Sequence, residues 1–72
     1  MRVKCISPKT GRIRVLEIVE VYYDENTQEL TMITTRTNVV KTRVNKIAAE
    51  TILYSLFSSG LYDFGNRPVE IP

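Results

Sequence analysis

Arg12-Ile13-Arg14-Val15-Leu16-Glu17-Ile18-Val19-Glu20-Val21-Tyr22-Tyr23 is the stretch on which the fold turns. It is rich in Val, Ile and Tyr, residues that suit a pleated, half-buried surface. Its odd positions (Ile13, Val15, Val19, Val21, Tyr23) are apolar apart from Glu17, while its even positions mix Leu16, Ile18 and Tyr22 with Arg12, Arg14 and Glu20. Successive side chains on a strand point to opposite faces, so this reads as one long strand with an apolar odd face and a mixed even face. Glu17 contradicts the odd face and marks a bulge, a bend or a buried pairing with a base.

The flanking segments read as further strands joined by turns. Before the long strand, Ser7-Pro8-Lys9-Thr10-Gly11 is a turn, with proline presetting φ and glycine accepting a positive φ, and Arg2 to Ile6 is a short strand. After it, Asp24-Glu25-Asn26-Thr27-Gln28 reverses the chain, and Glu29 to Thr37 returns as a strand carrying Leu30, Met32 and Ile33 among threonines. Thr37-Asn38 permits another reversal or a bulge, and Val39 to Val44 is a fourth strand.

From Asn45 the period changes. Ile47, Ala48, Ala49, Ile52, Leu53, Leu56 and Phe57 recur at i, i+3, i+4 spacing, which predicts an amphipathic helix over about residues 45–59. Asn45 is a good N-cap and Gly60 stands where a left-handed residue would end the helix. In the tail, Tyr62 and Phe64 are expected to pack on the core. Val69 to Ile71, flanked by Pro68 and Pro72, reads as a short edge strand.

The expected fold is therefore α+β. An antiparallel meander of strands at about 2–6, 12–23, 29–37 and 39–44 is packed by one C-terminal helix, with residues 61–72 as a packed tail. Seventy-two residues make one domain, with no second core. A chain this small buries only about 60% of its unfolded surface and often draws stability from a staple, a metal or a partner. Cys5 is the only cysteine and the chain has no histidine, so an intrachain disulfide is excluded and transition-metal ligands are lacking. Cys5 reads as a buried thiol acting as a small hydrophobe.

One helix covers one face of such a sheet. The odd face is the expected seat for Ile52, Leu53, Leu56 and Phe57, which leaves Leu16, Ile18, Leu30 and Met32 together on the other. A contiguous exposed patch of that kind marks an interface, so a homodimer is expected through this face or through strand edges.

The charge layout is segregated. Residues 1–14 hold Arg2, Lys4, Lys9, Arg12 and Arg14 with no acid; residues 15–29 hold five acids and no base; residues 30–49 hold Arg36, Lys41, Arg43 and Lys46 with no acid. Folding the hairpins is expected to gather the bases at one end of the sheet and the acids at the tip formed by residues 24–28. Arg12, Arg14, Arg36, Lys41 and Arg43 are accordingly the candidate anion or nucleic-acid site. Against that reading, no aromatic is interleaved with these bases and the helix is not basic enough for a major groove.

Catalytic chemistry has few candidates. No Ser-His or Cys-His pair exists, glycines are confined to positions 11, 60 and 65, and Glu17 and Glu20 fall on opposite faces of a regular strand. No cofactor or metal is implied, and the start has no apolar run of signal-peptide length, so a cytoplasmic setting is expected. The expected function is a non-catalytic regulatory or protein-interaction module that pairs with itself and with another protein. Nucleic-acid binding through the basic end is the alternative. A lone helix after a meander also suits small accessory proteins, including those of mobile genetic elements.

Overall fold

The computed structural model describes residues 1–71. In chain order the elements are β1 (Arg2–Ile6), β2 (Ile13–Asp24), β3 (Glu29–Thr34), β4 (Val39–Arg43), α1 (Lys46–Ser59) and β5 (Leu61–Asp63). The strands form one sheet in the order β4-β3-β2-β1-β5. The first four make an antiparallel meander, and β5 adds in parallel beside β1. The α+β meander with one helix and a C-terminal edge strand is thus as read from the sequence.

Strand β3 stops earlier than expected because Thr34–Asn38 closes as a tight turn. Thr34 N donates to Asn38 O at 3.0 Å, and the Thr34 hydroxyl oxygen accepts from Arg36 N and Asn38 N at 3.3 and 3.2 Å. Helix α1 starts at Asn45, whose side chain accepts from Ala48 N at 2.8 Å. It ends at Gly60, whose φ of 74° lets its N–H reach Leu56 O. The edge strand after the helix is β5, at residues 61–63. The segment expected as an edge strand contributes one bridge: Glu70 exchanges both backbone bonds with Lys41 of β4, at 3.1 and 2.7 Å. Pro72, the second of the flanking prolines, lies outside the described residues. The sheet therefore starts to close on itself, β5 at one edge and the returning tail at the other. Thr42 Oγ1 donates to Pro68 O at 2.8 Å and Phe64 and Val69 are buried, so the tail is part of the core.

The decisive irregularity lies inside β2. Ile18 stands opposite Thr34 but Glu20 stands opposite Ile33, so Val19 is an extra residue, a β-bulge. One extra residue reverses the face of everything after it. Before the bulge Leu16 and Ile18 point inward, Leu16 opposite buried Val3; after it Val21 and Tyr23 point inward, opposite Met32 and Leu30.

The side of the sheet that α1 covers is thus corrected. Ile18, Leu30 and Met32, expected on an exposed interface, lie in the core with Val3, Cys5, Val40, Ala49, Ile52 and Leu56, and Leu30 and Met32 are 0% exposed. Leu16 is half-buried and packs against the same cluster. These residues are not a free dimer surface. Ile13, Val15 and Val19 instead lie exposed on the outside. Phe57, expected against the sheet, is 71% exposed. Glu17 and Glu20 are no longer on opposite faces either: both come to the outer surface, Glu17 beside Arg2 and Glu20 beside Ile33. No helix of the described residues is long and apolar enough to cross a membrane.

Candidate functional site

The backbone of β2 decides where a partner can bond. Ser7 N donates to Arg12 O at 2.9 Å and Ile18 N donates to Met1 O at 2.6 Å. Even-numbered residues of β2 before the bulge therefore direct their backbone groups to β1, and odd-numbered ones direct theirs to the opposite side. On that opposite side Glu17 O accepts from Thr35 N at 3.1 Å, and β3 then turns away. The N–H and C=O groups of Ile13 and Val15 have no partner among the described residues. The other strand edges are better covered. Leu61 O of β5 accepts from the hydroxyls of Ser55 and Ser59 at 2.7 and 3.3 Å, and the middle of β4 is paired with Glu70.

The open edge borders a cleft of about 360 Å³ at the seam the sheet leaves unclosed. Leu16, Val40 and Ile71 supply its apolar lining, and Arg14, Glu17, Thr35 and Arg36 are the principal polar groups around it. The cleft exists because the bulge bends β2 away from its own first half. Residues 13–17 stay with β1, residues 20–24 go with β3, and a gap opens between them and the returning tail.

The five basic candidates divide between two places. Arg14 and Arg36 come together on the cleft, as the hairpin argument expected, and Arg12 is exposed just ahead of β2. Lys41 and Arg43 do not join them. Strand β4 runs antiparallel to β3, so its later residues return to the acidic tip. Lys41 Nζ is 3.4 Å from Glu29 Oε1, and Arg43 stands opposite Glu29 in the register. Lys46 Nζ sits 3.0 Å from Glu25 Oε1, and that hydrogen bond raises the pKa of its ammonium group. Lys41 and Arg43 line a separate shallow cleft with Glu29 and Glu70, two carboxylates for two cations. The single basic end expected from the sequence is therefore split.

Arg14 and Arg36 form no ion pair or side-chain hydrogen bond among the described residues. Glu17, the one carboxylate on the cleft, lies 3.5 Å from the Met1 amino group. Cys5, opposite Arg14 in the register, is buried. Its burial raises the thiol pKa, the Arg14 charge offsetting part of the effect, so it is the poor nucleophile expected of a packed thiol. Among the described residues no group of three or more His, Cys, Asp or Glu side chains is placed to hold a metal ion.

Sequence reasoning found Arg14 and Arg36 but missed the edge between them. The signal was the three-residue step from Ile18 to Val21, and the equal step from Glu17 to Glu20, each of which breaks a period of two. No protein-family model matches the chain, and no curated protein or solved structure matches it significantly.

Proposed function

We propose that this domain is a non-catalytic protein-interaction module that takes up an extended segment of a partner by strand addition to β2. The observation that carries the reading is the unpartnered backbone of Ile13 and Val15 on one edge of β2, which runs into the cleft at Val15. Main-chain groups at an exposed sheet edge are a template for an added strand, and neighbouring side chains then select the sequence. Ile13 and Val15 are 62% and 58% exposed, so an added strand gains apolar contacts as well as hydrogen bonds. A cytoplasmic setting is part of the same proposal.

The test uses a capped, uncharged peptide of alternating valine and threonine. Titrated into the protein, it is expected to slow hydrogen exchange at the Ile13 and Val15 amides. Val15→Pro deletes one outward donor and leaves the β1 ladder in place, and it is expected to abolish binding. Undiminished binding by Val15→Pro removes the proposal.

Self-association is the second reading, now moved from the inner face of the sheet to the helix. Ile47, Tyr54 and Phe57 are exposed at spacings of seven and three on α1, a stripe of the kind that packs against another helix. The molar mass in solution decides it. The nucleic-acid reading loses the continuous basic surface it needed, because Lys41 and Arg43 lie among carboxylates.

A further inference from the structure

We infer that the segment received at the β2 edge is acidic, with a carboxylate side chain opposite Arg14. This rests on the strand-addition reading and adds the chemistry of the partner.

The argument starts from the register. Before the bulge Arg14 and Leu16 face the inner side of β2, whereas Ile13 and Val15 face outward. A strand laid antiparallel along this edge places each residue opposite one of β2 and on the same face. Its residue opposite Leu16 meets the apolar lining made by Leu16, Val40 and Ile71. Its residues opposite Ile13 and Val15 lie outside against two exposed aliphatic side chains. The residue opposite Arg14 lies at the cleft, which Arg36 also lines, and neither guanidinium has an anionic partner among the described residues. Glu17 already has the Met1 amino group beside it, so the uncompensated charge of the cleft is positive. A carboxylate at that position meets two cations; an ammonium group there meets repulsion.

A second copy of this chain fits the edge poorly. Pairing two β2 edges brings Arg12 and Arg14 of both copies into one short seam, and like charges at opposed strand positions are destabilising. The turn at residues 34–38, bonded to Glu17 O, also walls one end of the edge. A slim extended segment avoids both problems.

The experiment compares three capped, dye-labelled peptides, Thr-Leu-Val-Glu-Val-Thr and its Gln and Lys versions, by fluorescence anisotropy at low and high salt. The Glu peptide is expected to bind roughly tenfold tighter than the Gln peptide at low salt, with the difference shrinking at high salt. The double variant Arg14→Glu, Arg36→Glu is expected to reverse the order and favour the Lys peptide. Both substitutions are at exposed positions, and an unchanged melting curve verifies that the fold is intact. Equal binding of all three peptides, still lost in Val15→Pro, overturns the acidic preference and leaves strand addition standing. Glu-peptide binding that survives Val15→Pro sinks strand addition, leaving charge attraction alone. Failure of all three peptides to bind overturns both.

Discussion

Thr37 carries a φ of 64° in the turn between β3 and β4, a left-handed conformation that a β-branched side chain adopts only under strain. The turn needs it: Thr37 N donates to Thr34 O at 2.9 Å, and Thr34 N to Asn38 O. Replacing Thr37 with glycine removes the Cβ conflict, worth about 1–2 kcal/mol, against an entropic cost of roughly 0.5–1 kcal/mol. Thr37→Gly is therefore expected to raise the melting temperature by a few degrees, roughly 2–8 °C for a chain of this size. A thermal melt monitored by circular dichroism checks it, and a lowered melting temperature shows that the threonine is unstrained. The position matters because Arg36 beside it lines the cleft, and strained backbone tends to gather where a side chain must be held in place.

Among the elements, β2 organises the molecule and its bulge sets what each face does. The inward pairs Leu16 and Ile18, then Val21 and Tyr23, give one continuous inner face across a strand shared by two halves of the sheet. Tyr23 fastens its far end by donating its hydroxyl to Val44 O at 2.8 Å. Met32 lies in the core cluster that includes Ala49, Ile52 and Leu56 of α1, with no exposure, opposite Val21 on one side and Val40 on the other. A carboxylate there has no partner and no water, and burying an unpaired charge costs several kcal/mol, comparable with the whole stability of a small domain. Met32→Asp is expected to unfold the protein, seen as loss of the cooperative denaturation transition. A folded Met32→Asp protein with altered oligomeric state would restore Met32 to an interface.

For the molecule as a whole, a small sheet that curls onto its own tail leaves apolar surface outside. Ile13, Val15 and Val19 are exposed on the sheet and Ile47, Tyr54 and Phe57 on the helix, more than one small core can cover. If the helix stripe joins two copies, light scattering at tens of micromolar should return about twice the 8.3 kDa of one chain. Phe57→Glu should then return the single-chain mass while keeping a cooperative thermal transition, since Phe57 does not contribute to the core of one chain. A single-chain mass for the unaltered protein at that concentration removes self-association. Charge is also decided at this scale: antiparallel return of β4 pairs Lys41 with Glu29, and the helix start pairs Lys46 with Glu25, leaving Arg14 and Arg36 as the cations on the cleft.

Local chemistry was enough to determine the four-stranded meander and the helix, but not β5, which lies in a stretch read as packed tail. The period of two, the turn residues and the change to i, i+3, i+4 spacing at Asn45 gave strand and helix positions close to those observed, and Asn45 and Gly60 cap the helix as their side-chain and backbone properties dictate. Arg14 and Arg36 were legible as neighbours because a hairpin register follows from its turns. Which face is the core was not legible. A single inserted residue, Val19, exchanges inside for outside, and both faces of β2 carry enough aliphatic side chains for either choice. That choice belongs to packing, because α1, the tail residues Phe64 and Val69, and the far strands must all bury against one surface at once. The open edge at Ile13–Val15 is settled there too. Whether a backbone group finds a partner depends on where distant strands bend away, a long-range property that the broken period of two near Val19 signals but does not fix.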